Sequence, residues 1–142
     1  MSSAPDPTVV QPGFVTLDVE WTGAVRSFES GDLAHLTVSV MDTETFNNGI
    51  DPETVTILYI PGTGPQKEVQ WLHSAWDGSS VQSPAVGVIG RTAQGQFEVW
   101  LDTTDATGKW YAQAQTEGAG QGCSPQVQWY VTPILPTIEG GG

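Results

Sequence analysis

The sequence predicts an all-β domain folded as an antiparallel β-sandwich of seven to eight strands. Short runs that alternate apolar and polar residues recur along the chain, as strands with one buried face require. The 17 glycines and 10 prolines cluster between these runs and mark turns. No run shows a convincing 3.6-residue apolar stripe, and only a weak helical turn is expected, around residues 75–82.

The first four strands are defined by alternation or by a continuous apolar run. Residues 14–20 and 33–41 alternate, so one face of each strand is apolar. Residues 54–60 are apolar on both faces, and residues 68–72 form a shorter candidate. The side chains expected to face the core are Val15, Leu17, Val19, Ala34, Leu36, Val38, Val40, Val55, Ile57 and Tyr59.

The last four strands follow the same logic. Residues 85–89 are a short apolar candidate, and residues 95–101, 109–115 and 126–132 alternate. A glycine-rich hairpin, "EGAGQG", separates the last two strands. The side chains expected to face the core here are Phe97, Val99, Leu101, Trp110, Ala112, Ala114, Val127, Trp129 and Val131.

The 142 residues suffice for one domain with its own core. Residues 1–13 are polar and proline-rich and predict an extended N-terminal arm, and residues 14–132 form the sandwich. Residues 133–142, "PILPTIEGGG", predict a C-terminal tail. No apolar run approaches the ~20 residues that span a membrane, and the N-terminus lacks the features of a signal peptide. We therefore expect synthesis in a cytoplasm and no membrane partner.

The net charge of −12, with only four lysines and arginines, opposes binding to phosphate groups, so no nucleic-acid partner is expected. The single cysteine, Cys123, cannot form an internal disulfide. His35 and His73 show no metal-ligand or catalytic spacing. Acids at strand ends are expected to cap turns rather than bind calcium: Asp42, Glu44, Asp51, Glu53, Asp102 and Asp105. We predict no enzyme, no catalytic residue, no metal and no cofactor.

The segment "DATGKWYA" carries a corner pattern. Immunoglobulin-like domains place an Asp, a small residue, an aromatic residue and a Cys around the corner between strands E and F. The corresponding residues here are Asp105, Gly108, Trp110 and Ala112. Trp110 replaces the usual tyrosine, so the tyrosine-corner hydroxyl bond is expected to be missing. Ala112 replaces the cysteine, so the predicted fold is an immunoglobulin-like sandwich without a disulfide.

A longer series of motifs runs through residues 30–132: Gly31-Asp32, Asp51-Pro52-Glu53-Thr54-Val55, Pro61-Gly62, Gly95-Gln96-Phe97 and Gly108-Lys109-Trp110, then the glycine-rich hairpin. In this order they resemble the small immunoglobulin-like structural proteins of tailed bacteriophages. The segment 73–84 is longer than in that pattern, and Trp21 lies outside it. The resemblance implies a virion protein of the capsid-decoration or auxiliary-head type, whose partner is the major capsid protein or another virion protein.

Alternation also predicts a candidate partner-binding face of amide, aromatic and aliphatic side chains, nearly free of charge in a chain of net charge −12. An alternative is that the terminal arms or residues 73–84 cover this face. The predicted face consists of Leu58, Ile60, Trp100, Tyr111, Gln113, Gln115, Gln128 and Tyr130.

The sequence therefore favours a capsid-decoration protein on the outer surface of a phage head. One alternative is a tail or baseplate accessory protein. Another is a glycan-binding module, in which Tyr111, Tyr130 and Trp100 stack on cell-surface sugars. A second copy of the chain itself is a further candidate partner.

Overall fold

The computed structural model describes residues 6–20, 27–104 and 106–133, and these form an all-β fold. They contain ten strands and one short 3₁₀ turn, His73–Ala75, but no α-helix. The strands are β1 (Gly13–Val19), β2 (Ser27–Glu29), β3 (Leu33–Asp42), β4 (Thr54–Ile60), β5 (Lys67–Leu72), β6 (Gly90–Ala93), β7 (Gln96–Asp102), β8 (Gly108–Glu117), β9 (Gly122–Cys123) and β10 (Val127–Thr132).

The strands form two sheets. The first has the order β1-β3-β7-β6, and the second has the order β2-β10-β8-β4-β5, with the short β9 also paired to β8. Neighbouring strands pair antiparallel, except that β2 runs parallel to β10. Both sheets contribute their buried faces to one hydrophobic core. The arrangement is that of a two-layer β-sandwich.

The core confirms the alternation predicted from the sequence. Nearly all of the side chains expected to face inward are buried; Tyr59 and Val127 are half-buried and pack against the core. Trp110, Trp129 and Phe97 are the largest fully buried side chains. The rings of Trp110 and Trp129 pack with their centroids 5.8 Å apart. Bulky aromatic groups therefore fill the space between the sheets.

The strand count differs from the expected seven to eight. β2 and β9 have three and two residues, too short to show a pattern. The predicted strand at 85–89 is wrong, because Gly87 adopts φ 72° and a turn forms there, leaving Val86 and Val88 exposed. β6 follows at Gly90–Ala93 instead. The helical turn expected at 75–82 is wrong, because the 3₁₀ turn ends at Ala75 and residues 76–82 are not helical.

The described part of the N-terminal arm, residues 6–12, lies against the hairpin between β8 and β9. The Gln11 amide donates to the Gly118 carbonyl (3.1 Å), and the Ala119 amide donates to the Pro7 carbonyl (3.0 Å). A Cβ at Gly118 would lie 1.9 Å from the Pro7 oxygen. Glycine in this hairpin is thus required by the close approach of the arm. Residues 1–5 and 134–142 of the predicted arm and tail lie outside the described residues.

The corner before β8 combines a glycine turn with a buried aromatic side chain. Gly108 adopts φ 107°, a conformation that residues with a side chain rarely adopt, and Trp110 and Ala112 are buried beneath it. The Trp110 indole N–H donates to the Ala106 carbonyl (3.0 Å). Asp105 lies outside the described residues.

The loop before this corner is held by Thr103. Its hydroxyl is fully buried and donates to the Asp32 carbonyl (2.7 Å), while it accepts from the Gly31 amide (3.2 Å). Asp102 accepts hydrogen bonds from the Thr104 hydroxyl and amide, which lower the pKa of Asp102. Asp102 therefore caps the turn, as the sequence predicted.

Candidate functional site

The outer face of the second sheet brings together all the predicted face residues except Trp100. In the strand registers, Tyr111 lies beside both Ile60 and Gln128, and Leu58 lies beside Gln113. Because side chains on one face of neighbouring strands are about 5 Å apart, these groups form one continuous surface. Strands β4, β8 and β10 carry it. We call this surface the β8 face: Leu58, Ile60, Tyr111, Gln113, Gln115, Gln128 and Tyr130.

Trp100 does not belong to the β8 face, which corrects the prediction. It lies on β7 in the first sheet and stacks on His35, with ring centroids 4.1 Å apart. The two ring nitrogens of His35 contact the carboxylates of Glu20 and Glu98, the latter at 2.6 Å. Alternation correctly predicted that Trp100 points away from the core. It lies on the outer side of the first sheet, however, and not of the second.

The β8 face is not free of charge, because Lys109 lies at its end. The Lys109 amine lies 5.4 Å from the ring centre of Tyr111 and 5.9 Å from that of Tyr130. A cation over an aromatic ring is attracted by the electron-rich ring face. Lys109 forms no ion pair within the described residues. The alternation that buried Trp110 should have placed Lys109 on this face, so its signal was present in the sequence.

The relief of the β8 face is shallow. Tyr130 is 53% exposed, and Leu58, Ile60 and Tyr111 are half-buried. The depression beside Leu58, Ile60 and Tyr111 holds about 70 Å³. Small-molecule sites usually enclose roughly 300–1,000 Å³, so this part of the face is suited to a broad contact rather than to an enclosed ligand.

Two of the glutamines on the β8 face have different surroundings. The Gln113 side-chain amide donates to the Ser124 carbonyl (2.8 Å) and so holds the segment that leads into β10. Gln115 lines a larger, open depression of about 410 Å³ between β4, the hairpin and Val10. The Gln113 amide is thus used in a hydrogen bond within the fold, whereas Gln128 is exposed and available to a partner.

Three of the strand-end acids, Asp42, Asp51 and Asp102, form hydrogen bonds within the fold. Backbone hydrogen bonds from Thr45 and Asn48 lower the pKa of Asp42 to about 2. Asp51 instead pairs with Arg91 through two hydrogen bonds (3.0 and 2.9 Å) and accepts from the Gly95 amide (2.9 Å). Within residues 6–20, 27–104 and 106–133, no three His, Cys, Asp or Glu side chains are grouped to hold a metal ion.

The remaining histidine and the cysteine lie on different elements: His73 follows β5, whereas Cys123 belongs to β9. His73 lies edge-on to Trp71 and to Trp76 in a cluster at the end of β5, and Cys123 is exposed on β9.

No helix in the described part of the chain is long and apolar enough to cross a membrane. No protein-family model matches the chain, and no curated protein sequence matches it significantly.

Proposed function

We propose that the domain is immunoglobulin-like. In immunoglobulin domains, strands A, B, E and D form one sheet, and G, F and C form the other. The orders β1-β3-β7-β6 and β10-β8-β4 correspond to these sheets strand by strand. The Trp110 indole bond at the corner before β8 supports the same assignment, because an aromatic side chain at that position ties the corner in immunoglobulin domains.

We further propose that the chain is a virion structural protein of a tailed phage, a capsid-decoration or auxiliary head protein. The observation that carries the proposal is the β8 face. Tyr111, Tyr130 and Gln128 lie together with a single cation, Lys109, in a chain of net charge −12. Interface cores are depleted in charge and enriched in aromatic side chains. The sequence resemblance in residues 30–132 supports a capsid as the partner.

The mechanism is binding. Tyr130 supplies an exposed aromatic anchor, and Lys109 supplies a positive charge that an acidic group of the capsid protein would complement. Glu68, beside Leu58 in the β4–β5 register, adds one acidic group at the edge of this face. Because many copies occupy a symmetric lattice, a modest affinity at each site suffices for stable decoration of the shell.

The test is the copy number of the chain relative to the major capsid protein in purified particles of the virus that encodes it. Quantitative mass spectrometry should find hundreds of copies per particle. A handful of copies would favour a tail or baseplate accessory instead. Absence of the chain from the particles would overturn the virion assignment altogether.

The β8 face itself is tested by substitution. Tyr130→Ala and Lys109→Met should each reduce binding of the purified chain to particles that lack it. Thr37→Ala, on the outer face of the first sheet, is the matched control and should bind as the wild type does. Equal binding by all three variants would show that another surface carries attachment.

A glycan-binding module is the second candidate, because Tyr111 and Tyr130 present adjacent aromatic rings with Lys109 between them. This candidate predicts that Tyr111→Ala abolishes binding on a glycan array and leaves the copy number in particles unchanged. The capsid proposal predicts that Tyr111→Ala lowers the copy number in particles and leaves the glycan-array signal unchanged. Trp100 plays no part in either, because it lies on the first sheet.

A further inference from the structure

The loop between β3 and β4 presents a phenylalanine in an unusual backbone conformation. Phe46 has φ 58°, and no other residue with a side chain has a positive φ in the described parts of the chain. This left-handed conformation is unfavourable for a bulky residue, whereas Asn and Gly adopt it readily. The Phe46 side chain is nevertheless 54% exposed. Burial in the core therefore does not explain a phenylalanine at this position.

The loop holds Phe46 in place through Asp42. The Asp42 carboxylate accepts hydrogen bonds from the backbone amides of Thr45 (2.9 Å), Asn48 (3.0 Å) and Asn47 (3.2 Å). The Thr45 hydroxyl donates to the same carboxylate. A loop fixed by its own hydrogen bonds loses little conformational entropy when a partner binds.

A second exposed phenylalanine lies beside the first. Phe14, on the outer side of β1, is 47% exposed, and its ring meets that of Phe46 edge to face at 5.2 Å. Met41 is the partner of Phe14 in the β1–β3 register and is half-buried. Phe14, Met41 and Phe46 form an apolar patch that we call the phenylalanine anchor. About half of the surface of each phenylalanine is exposed and could be buried by a partner.

The charges around the anchor indicate the chemistry of its partner. Glu44 is exposed in the same loop as Phe46, and Asp18 is exposed on the same side of β1 as Phe14. Gly49 of this loop packs against the turn between β6 and β7, and the one cation of β6, Arg91, is paired with Asp51. An anionic lipid surface or a nucleic acid would be repelled by Glu44 and Asp18. A protein pocket that is apolar inside and basic at its rim is complementary to the anchor in both shape and charge.

We propose that the phenylalanine anchor is a second attachment site, which inserts Phe46 into such a pocket on a partner protein. Resting on the proposed function, we assign that pocket to the capsid protein. β1 belongs to the first sheet, whereas the β8 face belongs to the second, so the two sites lie on different sheets. Because the outer faces of the two sheets point in opposite directions, the two sites bind different capsid subunits, one on each side of the domain.

The decisive variant is Phe46→Asn, because Asn tolerates the left-handed conformation and preserves the Asp42 hydrogen bonds. The full-length chain is added to particles from a virus that lacks its gene, and binding is measured with a titration of the chain. Phe46→Asn should weaken binding at least tenfold and leave the melting temperature equal to or above that of the wild type. Val81→Asn, at another exposed apolar residue, is the matched control and should change neither quantity.

A lowered melting temperature for Phe46→Asn would show that Phe46 serves the fold, and unchanged binding would also overturn the anchor. Glu44→Lys should weaken binding as well, and a stronger interaction in that variant would contradict the basic rim. If Phe46→Asn binds poorly while Tyr130→Ala binds normally, the anchor stands and the β8 face fails. If the wild-type chain does not bind the particles, the capsid function fails, and with it the assignment of the pocket to a capsid.

Discussion

The indole N–H of Trp110 donates a 3.0 Å hydrogen bond to the carbonyl of Ala106, four residues earlier in the chain. One side chain thus fills the core with its ring and fixes the corner before β8 with its polar atom. A tryptophan has no hydroxyl to form the bond expected of a tyrosine. Its indole nevertheless carries an N–H donor at the far edge of a large ring, and this donor reaches the backbone instead.

Replacement of Trp110 by phenylalanine should therefore be costly. Trp110→Phe removes part of a fully buried ring and the donor to Ala106, and we expect a loss of about 2–4 kcal/mol in the free energy of unfolding. Urea denaturation measures this loss. Trp100→Phe, at a half-buried tryptophan on the outer side of the first sheet, should cost about 1 kcal/mol or less. Equal losses of unfolding free energy in the two variants would contradict a stabilising role for the bond between Trp110 and Ala106.

The pair between Arg91 and Asp51 should be important for stability because both side chains are largely buried, with 12% and 18% exposure. Arg91→Met leaves the Asp51 carboxylate without its cation, and we expect a loss of about 2–3 kcal/mol. Lys67→Met, at an exposed lysine, should change stability by less than about 0.5 kcal/mol. A small effect of Arg91→Met would indicate that the Gly95 amide alone compensates Asp51.

Two glycines allow steric collision to be separated from backbone strain. Gly118 and Gly78 have similar positive φ values of 83° and 88°, but a Cβ would strike the Pro7 oxygen only at Gly118. Gly78→Ala should cost about 1–2 kcal/mol from strain alone. Gly118→Ala should cost more and should release residues 6–12 to hydrogen exchange and proteolysis. If residues 6–12 are equally protected from exchange and proteolysis in both variants, the arm does not depend on the contact between Pro7 and Gly118.

The loop capped by Asp42 should make stability depend on acid pH. The pKa of Asp42 in the folded protein is about 2, below the ordinary value of 3.8, because backbone amides stabilise its charged form. Its stabilising contribution is therefore complete above the unfolded-state pKa and is lost as the pH falls from about 4 through about 2. Asp42→Asn should make the free energy of unfolding less dependent on pH in that window. Parallel curves for the two proteins would contradict the prediction.

Much of the fold followed from local pattern. β1, β3, β4, β7, β8 and β10 lie within one or two residues of their predicted bounds. Their alternation is unambiguous because successive side chains of a strand point to opposite faces. The prediction failed where pattern was weak or geometry was not local, as in the turn at Gly87 and in the parallel pairing of β2 with β10.

The sequence by itself determined which side chains point inward and which point outward, because that depends only on the period of the strand. It could not decide which sheet an outward residue belongs to, since sheet order is set by contacts between distant segments. For that reason it placed Trp100 together with Tyr111, although the two lie on different sheets. Only the tertiary structure grouped Phe14 with Phe46, because a strand and a loop from distant parts of the chain meet there.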